Sequence, residues 1–303
     1  MYVNGYEIFP GVDLEGAYLG WVNLAGADLE GANLRYAHLD GANLEGANLR
    51  YAHLDGANLA GANLTTAKLN TTSFSGAYLA RADFSHTGLD AVDFSDAKLD
   101  GATFERAFLP EAILSGASLV GTNFSEANIK EAVLEDMVFT GTNLQGAQLV
   151  YCSGFHRNGG FGDGGEFRGA NLSRTYVVGM SLVGMDFSGA NLQSASFSAV
   201  DLVDANFSGA NLTKANLAGL DLLSAILDGT NLSGANLAGA NLGKASLRAS
   251  NCTGADLRGV VLINASLRGV VGLEEATLTG AIADFTTDWP EKFDPVAAGV
   301  ISK

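Results

Sequence analysis

The sequence predicts an all-β solenoid, a chain wound into a coil whose successive turns pair like parallel strands. Three observations carry this expectation. Leucine or phenylalanine recurs at every fifth residue, with few breaks, from Leu14 to Leu149 and again from Phe167 to Leu267. A small or aliphatic residue stands two places before most of them, so the apolar positions Ala17, Leu19, Val22, Leu24, Ala27 and Leu29 advance by alternating steps of two and three. Phenylalanines repeat every twenty residues, at Phe84, Phe104 and Phe124, at Phe74 and Phe94, and at Phe167, Phe187 and Phe207.

Neither standard period accounts for the five-residue rule. On a helix, leucines five apart would drift around every side, and on a flat strand they would alternate between faces. A step of two keeps Ala17 and Leu19 on one face of a short extended segment, and the following step of three requires a corner. Repetition winds the chain around a leucine-filled centre, and the spacing of twenty stacks the aromatic rings in ladders, four repeats to a turn. Corner chemistry agrees, since the residue two past each central position is often glycine (Gly16, Gly26, Gly31, Gly41) and the residue before it is often Asn or Asp. Trp21, Tyr36, Tyr51, Arg81 and His86 share the glycine register, so a left-handed backbone is not expected to be compulsory there, and the register is expected to face solvent.

The triplets Ala27-Asp28-Leu29, Ala32-Asn33-Leu34, Ala190-Asn191-Leu192 and Ala255-Asp256-Leu257 resemble the motif of the pentapeptide repeat proteins. The resemblance implies a right-handed quadrilateral parallel β-helix of about twelve coils in two stacks with terminal caps. In chain order, residues 1–11 form an N-terminal cap and 12–154 the first stack. Residues 155–166 form a glycine-rich loop, 167–268 the second stack and 269–303 a C-terminal cap. The loop is placed by the spacing of 23 between Leu149 and Leu172, which is not a multiple of five. The end of the coil is placed by the step of six from Leu267 to Leu273. Open coil ends expose unpaired backbone and core leucines, so Trp289 and Phe293 are expected to cover the last coil. The head, Asn4 to Gly11, and the tail also look similar to the ends of cyanobacterial members of the family.

Composition narrows the chemistry. With a formal net charge of -16 over 303 residues, the exterior is expected to repel nucleic acid and acidic lipid headgroups, so neither direct nucleic-acid binding nor membrane association is expected. Cys152 and Cys252 both fall at inward registers 100 residues apart, which suits free thiols in a reducing compartment. Without a leader-like head or a long apolar run, the chain reads as cytoplasmic. His38, His53, His86 and His156 show no ligand spacing, so no metal or other cofactor is expected. Glu15, Glu30, Asp40, Glu45 and Asp55 are expected to line the outside, where no cleft would pair carboxylates for acid–base work. No catalytic residue is expected and the chain does not read as an enzyme. The sixteen letters from Leu29 to Leu44 recur from Leu44 to Leu59, an offset of fifteen that carries Arg35, Tyr36 and His38 to Arg50, Tyr51 and His53 on the next face.

The function expected is that of a non-catalytic scaffold binding an unknown protein partner, as a monomer or as a homodimer joined at the cap. If the glycine-rich loop binds that partner, Phe155, His156, Arg157 and Phe161 are the contact candidates, offering cation, ring and apolar surface. The alternative, implied by the quinolone-resistance members of the family, is a DNA mimic that inhibits or protects a type II topoisomerase such as gyrase.

Overall fold

The computed structural model describes residues 1–135, 137, 139–153 and 167–303. The chain divides into two compact units, Met1–His156 and Arg157–Lys303.

The first unit opens with a hairpin. β1 (Tyr2–Val3) pairs antiparallel with β2 (Tyr6–Glu7) across Asn4 and Gly5, whose φ angles of 49° and 87° are the two positive values a primed two-residue turn demands. Ile8 follows as the first buried apolar residue. From Asp13 the chain winds, and parallel bridges join Asp13 to Asn33, Tyr18 to His38 and Asn23 to Asn43, an offset of twenty, or four pentapeptides. The pairing continues to Val133 and Ser153, lengthening into strands β3 (Asn128–Lys130) and β4 (Gln148–Val150).

Each corner has one construction. Ala17 N–H donates to the Leu14 carbonyl at 3.0 Å, closing a four-residue turn whose third member, Gly16, has φ 64°. A positive φ at that position is the requirement of a type II turn. The sequence expectation for the non-glycine corners is overturned here. Trp21, Tyr36, Tyr51, Arg81 and His86 adopt φ between 56° and 61°, the same left-handed geometry as the glycines. The cost of roughly 1–2 kcal/mol for an L-residue there is borne because both strands leaving the corner are bonded to neighbouring turns. All five do face solvent, as expected.

The second unit repeats the scheme, with bridges such as Asn171 to Asn191 and Asn236 to Asp256, and strands β5 (Tyr176–Val178) and β6 (Ser196–Ser198) in parallel register. Pairing continues past the slip after Leu267 with a longer period: Asp256 meets Thr277, Val261 meets Ile282 and Ser266 meets Asp288. The first extra residue enters between Val271 and Thr277, just past Gly272, and the second between Ile282 and Asp288; β7 (Ile282–Ala283) pairs parallel with β8 (Ile301–Ser302).

The central residues fill the interior, and each contributes on the order of 1.5–3 kcal/mol by burial. Phe84 and Phe104 stack at 4.8 Å, Phe104 and Phe124 at 4.7 Å, and Phe167, Phe187 and Phe207 at 4.9 Å per step, as the twenty-residue spacing predicts. The two ladders of the first unit also meet edge to face, Phe84 against Phe94 at 5.5 Å and 86°.

Where threonine replaces the small inward residue, the hydroxyl finds a fixed partner. Thr72, Thr87, Thr122, Thr142 and Thr230 donate to the carbonyls of Leu49, Leu64, Leu99, Leu119 and Phe207, each 23 residues earlier. That carbonyl already accepts the corner N–H, as Phe207 does from Ala210, so the hydroxyl occupies its second lone pair. Thr230→Val is therefore expected to cost only about 1 kcal/mol in urea unfolding, because no buried carbonyl is orphaned.

Candidate functional site

The Asn and Asp residues before the central leucines bind in two directions. Asn43 Oδ1 accepts from Glu45 N–H at 3.1 Å, closing its own corner, while Asn43 Nδ2 donates to Asn23 Oδ1 of the preceding turn at 3.2 Å. Asn63 then donates to Asn43, and the same chain runs from Asn211 to Asn191 to Asn171. An ionised aspartate can only accept, so it suits the start of such a ladder, as Asp28 under Asn48 and Asp221 under Asn241 do. Most amide groups on the outer walls are thereby committed to the fold.

The duplicated patch is likewise engaged. Arg35 reaches Asp55 at 3.1 Å and Arg50 reaches Glu30 at 2.8 Å, each linking adjacent turns. Hydrogen bonds from Asn48 and then Arg50 hold the Glu30 carboxyl below its usual range. His38 stacks flat on Tyr18 at 4.7 Å and 5°, and His53 and His86 also lie on the outside. Among the described residues no group of three His, Cys, Asp or Glu side chains could hold a metal ion, and no helix is long and apolar enough to cross a membrane.

The candidate loop residues Phe155, His156, Arg157 and Phe161 lie outside the described residues. The tail residues are placed: Trp289 and Phe293 are half-buried and stack on each other at 5.2 Å. Trp289 directly follows Asp288, the residue paired with Ser266, and Phe293 lines a shallow recess with Leu273, Leu278 and Ala298.

Both cysteines are buried and free. Burial pushes each thiol up to about 11, and Cys152 Sγ donates to the Ile129 carbonyl at 3.1 Å. The folded state thus holds the thiol protons more tightly than the unfolded state, so this contribution is intact below about pH 9 and is lost as pH rises toward 11. At pH 7 the native thiols are expected to resist a disulfide reagent until urea is added; rapid native labelling would contradict this burial.

Sequence reasoning placed Trp21, Tyr36 and Tyr51 in an outward register but did not single out Tyr18 beside them. Tyr18, Trp21, Tyr36 and Tyr51 all stand outward within the first three turns, three of them at corner registers that elsewhere hold glycine. The signal was available as bulky aromatics at outward registers of the five-residue repeat, clustered near its start.

A parallel coil of twenty-residue turns with a leucine and phenylalanine interior defines a β-helical repeat protein. The family model described as pentapeptide repeats, eight copies, matches overlapping segments across residues 13–152 and 166–286, and the chain belongs to the pentapeptide repeat family. Members of this family form right-handed β-helices.

Among solved structures, the chain is similar to a trypsin-treated variant of QnrB1, a plasmid-mediated fluoroquinolone resistance protein. The identity is 19% over 67% of this chain and 90% of that one, with a TM-score of 0.45. It is similar to Rfr23 from the cyanobacterium Cyanothece 51142, at 29% identity over 40% of this chain and 88% of that one, TM-score 0.28. HetL, involved in heterocyst differentiation regulation in Nostoc sp. strain PCC 7120, matches at 29% identity over 90% of both chains, TM-score 0.21. No curated protein matches the chain.

Proposed function

We propose that this chain is a non-catalytic scaffold that binds another protein through its outer surface. The observation that carries the reading is the division of labour between inside and outside. The interior is filled and the amide ladders are self-satisfied, while large rings such as Trp21, Tyr18 and Tyr36 stand in solvent without a structural role in the core. Such exposed rings are the residues that interfaces favour. In this reading the coil is quadrilateral, of about twelve turns in stacks 12–154 and 167–268, closed by caps at 1–11 and 269–303 with Trp289 and Phe293 over the last turn. The two unpaired thiols support a reducing, cytoplasmic setting.

The test is affinity capture with the full chain and with a variant lacking residues 155–165. A protein retained by the full chain and not by an unrelated acidic protein is expected. Its loss from the deletion variant at unchanged melting temperature would assign contact to Phe155, His156, Arg157 and Phe161, whereas retention would assign it to the walls. Failure to retain any protein overturns the reading.

The net charge of -16 supports a second reading, an acidic DNA mimic acting on a type II topoisomerase. Purified gyrase tests this one: unaltered supercoiling, with and without a quinolone, at micromolar protein removes it.

A further inference from the structure

We propose that the first two turns carry a recognition site for a cationic side chain, an arginine or lysine of a basic peptide segment, with Asp40 as its charge partner and Trp21 and Tyr18 as its walls. This rests on the scaffold reading and names the chemistry of the partner.

Four registers of one wall meet there. The corner holds Tyr36, the middle holds Tyr18 stacked on His38, the next register holds Gly20 beside Asp40, and the far corner holds Trp21 beside Gly41. Two glycines shape the site. A Cβ built at Gly41 would lie 2.5 Å from Cε3 of Trp21, so the indole folds over a corner that no side chain contests. A Cβ built at Gly20 would lie 3.1 Å from Asp40 Oδ1, so the carboxylate leans into the space beside the residue that precedes Trp21. The backbone ties the pair together, with Trp21 N–H donating to the Asp40 carbonyl at 2.8 Å.

The Asp40 carboxylate has no ion pair or side-chain hydrogen bond among the described residues, whereas Glu30 and Asp55, at the same register of other walls, are taken by Arg50 and Arg35. Trp21 is 81% and Tyr18 71% exposed. A free carboxylate flanked by aromatic rings is the chemistry that binds guanidinium or ammonium, since the cation gains both the anion and the electron-rich ring faces. The net charge of -16 draws basic segments to this surface from a distance and repels acidic ones.

The experiment measures binding of fluorescein-labelled hexa-arginine to the full chain by anisotropy at physiological salt. Trp21→Gly and Asp40→Asn are compared with Glu275→Gln, which removes one exposed charge from the other unit. Each of the first two is expected to raise Kd about tenfold or more, and the charge-matched control to change it less than about twofold. Trp21→Gly is chosen because glycine suits the φ of 59° at that corner, so its melting temperature should be equal or higher and lost binding cannot come from unfolding. Equal weakening by Asp40→Asn and Glu275→Gln would mean diffuse charge attraction and overturn the site. So would an equal response to the neutral sugar methyl glucoside, or a concentration-dependent dimer abolished by Trp21→Gly. Any of these leaves the scaffold reading to its own capture test.

Discussion

Phe104→Ala is expected to destabilise the first unit by about 3–5 kcal/mol in urea unfolding, with its outward neighbour Phe108→Ala costing less than about 0.5 kcal/mol. Phe104 is fully buried, stacks on Phe84 at 4.8 Å and on Phe124 at 4.7 Å, and meets the edge of Phe94 at 5.6 Å. Truncation removes a ring from the middle of a ladder, so both stacked neighbours lose a partner and the cavity is walled by turns that are bonded above and below. Phe104 N–H donates to Asn123 O at 2.6 Å and Thr103 N–H to Ala82 O at 3.0 Å, which prevents the turns from closing the gap. Each lost aromatic pair adds about 0.5–1.5 kcal/mol to the burial deficit. In a solenoid each turn leans only on its neighbours, so the loss should appear first as enhanced amide exchange in the turns holding Phe84, Phe104 and Phe124. A measured cost below about 1 kcal/mol would mean that these rings do not share one ladder.

That ladder was legible because a spacing of twenty is a statement about which residues stack, whatever the shape of the turn. The edge-to-face contact of Phe84 with Phe94 was not, since it depends on how rings half a turn apart meet across the interior, which no spacing encodes. Asparagine before leucine was readable as a turn former, yet its second bond, Asn43 to Asn23, depends on what lies one turn earlier. The corners were misread for a physical reason. Trp21 or His86 in a glycine register looks like evidence against positive φ, but the composition of a register reports tolerance, and the bonds on both sides of the corner raise that tolerance. The hairpin at Asn4-Gly5 had its usual two-letter signal, overlooked because flanking segments of two residues show no periodicity. For the candidate sites, the outward placement of His38, Asp40 and Asp55 followed from register, whereas which carboxylates find arginines did not. Arg35 reaches forward by twenty residues and Arg50 back by twenty, a choice made by side-chain packing.

Gly272→Ala is expected to be the most damaging of the single-methyl additions considered, costing about 3 kcal/mol or more, against about 1 kcal/mol for Gly239→Ala. Both residues have positive φ, 76° and 69°, so the intrinsic backbone cost of alanine is similar. Their surroundings differ. A Cβ at Gly239 meets nothing within 4 Å, whereas at Gly272 it would lie 2.6 Å from the backbone nitrogen of Thr253 and 2.7 Å from its Cα. A side chain could swing aside, but this stretch of backbone is pinned on every side. Cys252 N–H donates to Val271 O at 2.9 Å, Val271 N–H to Ser250 O at 2.9 Å, and Gly234 N–H to Thr253 O at 2.9 Å. Thr253 N–H itself bonds Asn251 Oδ1 at 3.0 Å. Relief of the clash therefore requires breaking the pairing of Asn251 with Val271, immediately before the register lengthens and Asp256 meets Thr277. Gly272 is thus the pivot on which the chain changes from a twenty-residue turn to a longer one, and the second unit beyond it depends on that pivot. Urea unfolding of the two variants side by side decides the point. Equal destabilisation would show that the backbone around Thr253 yields, and that the longer turn does not depend on a bare Cα at this corner.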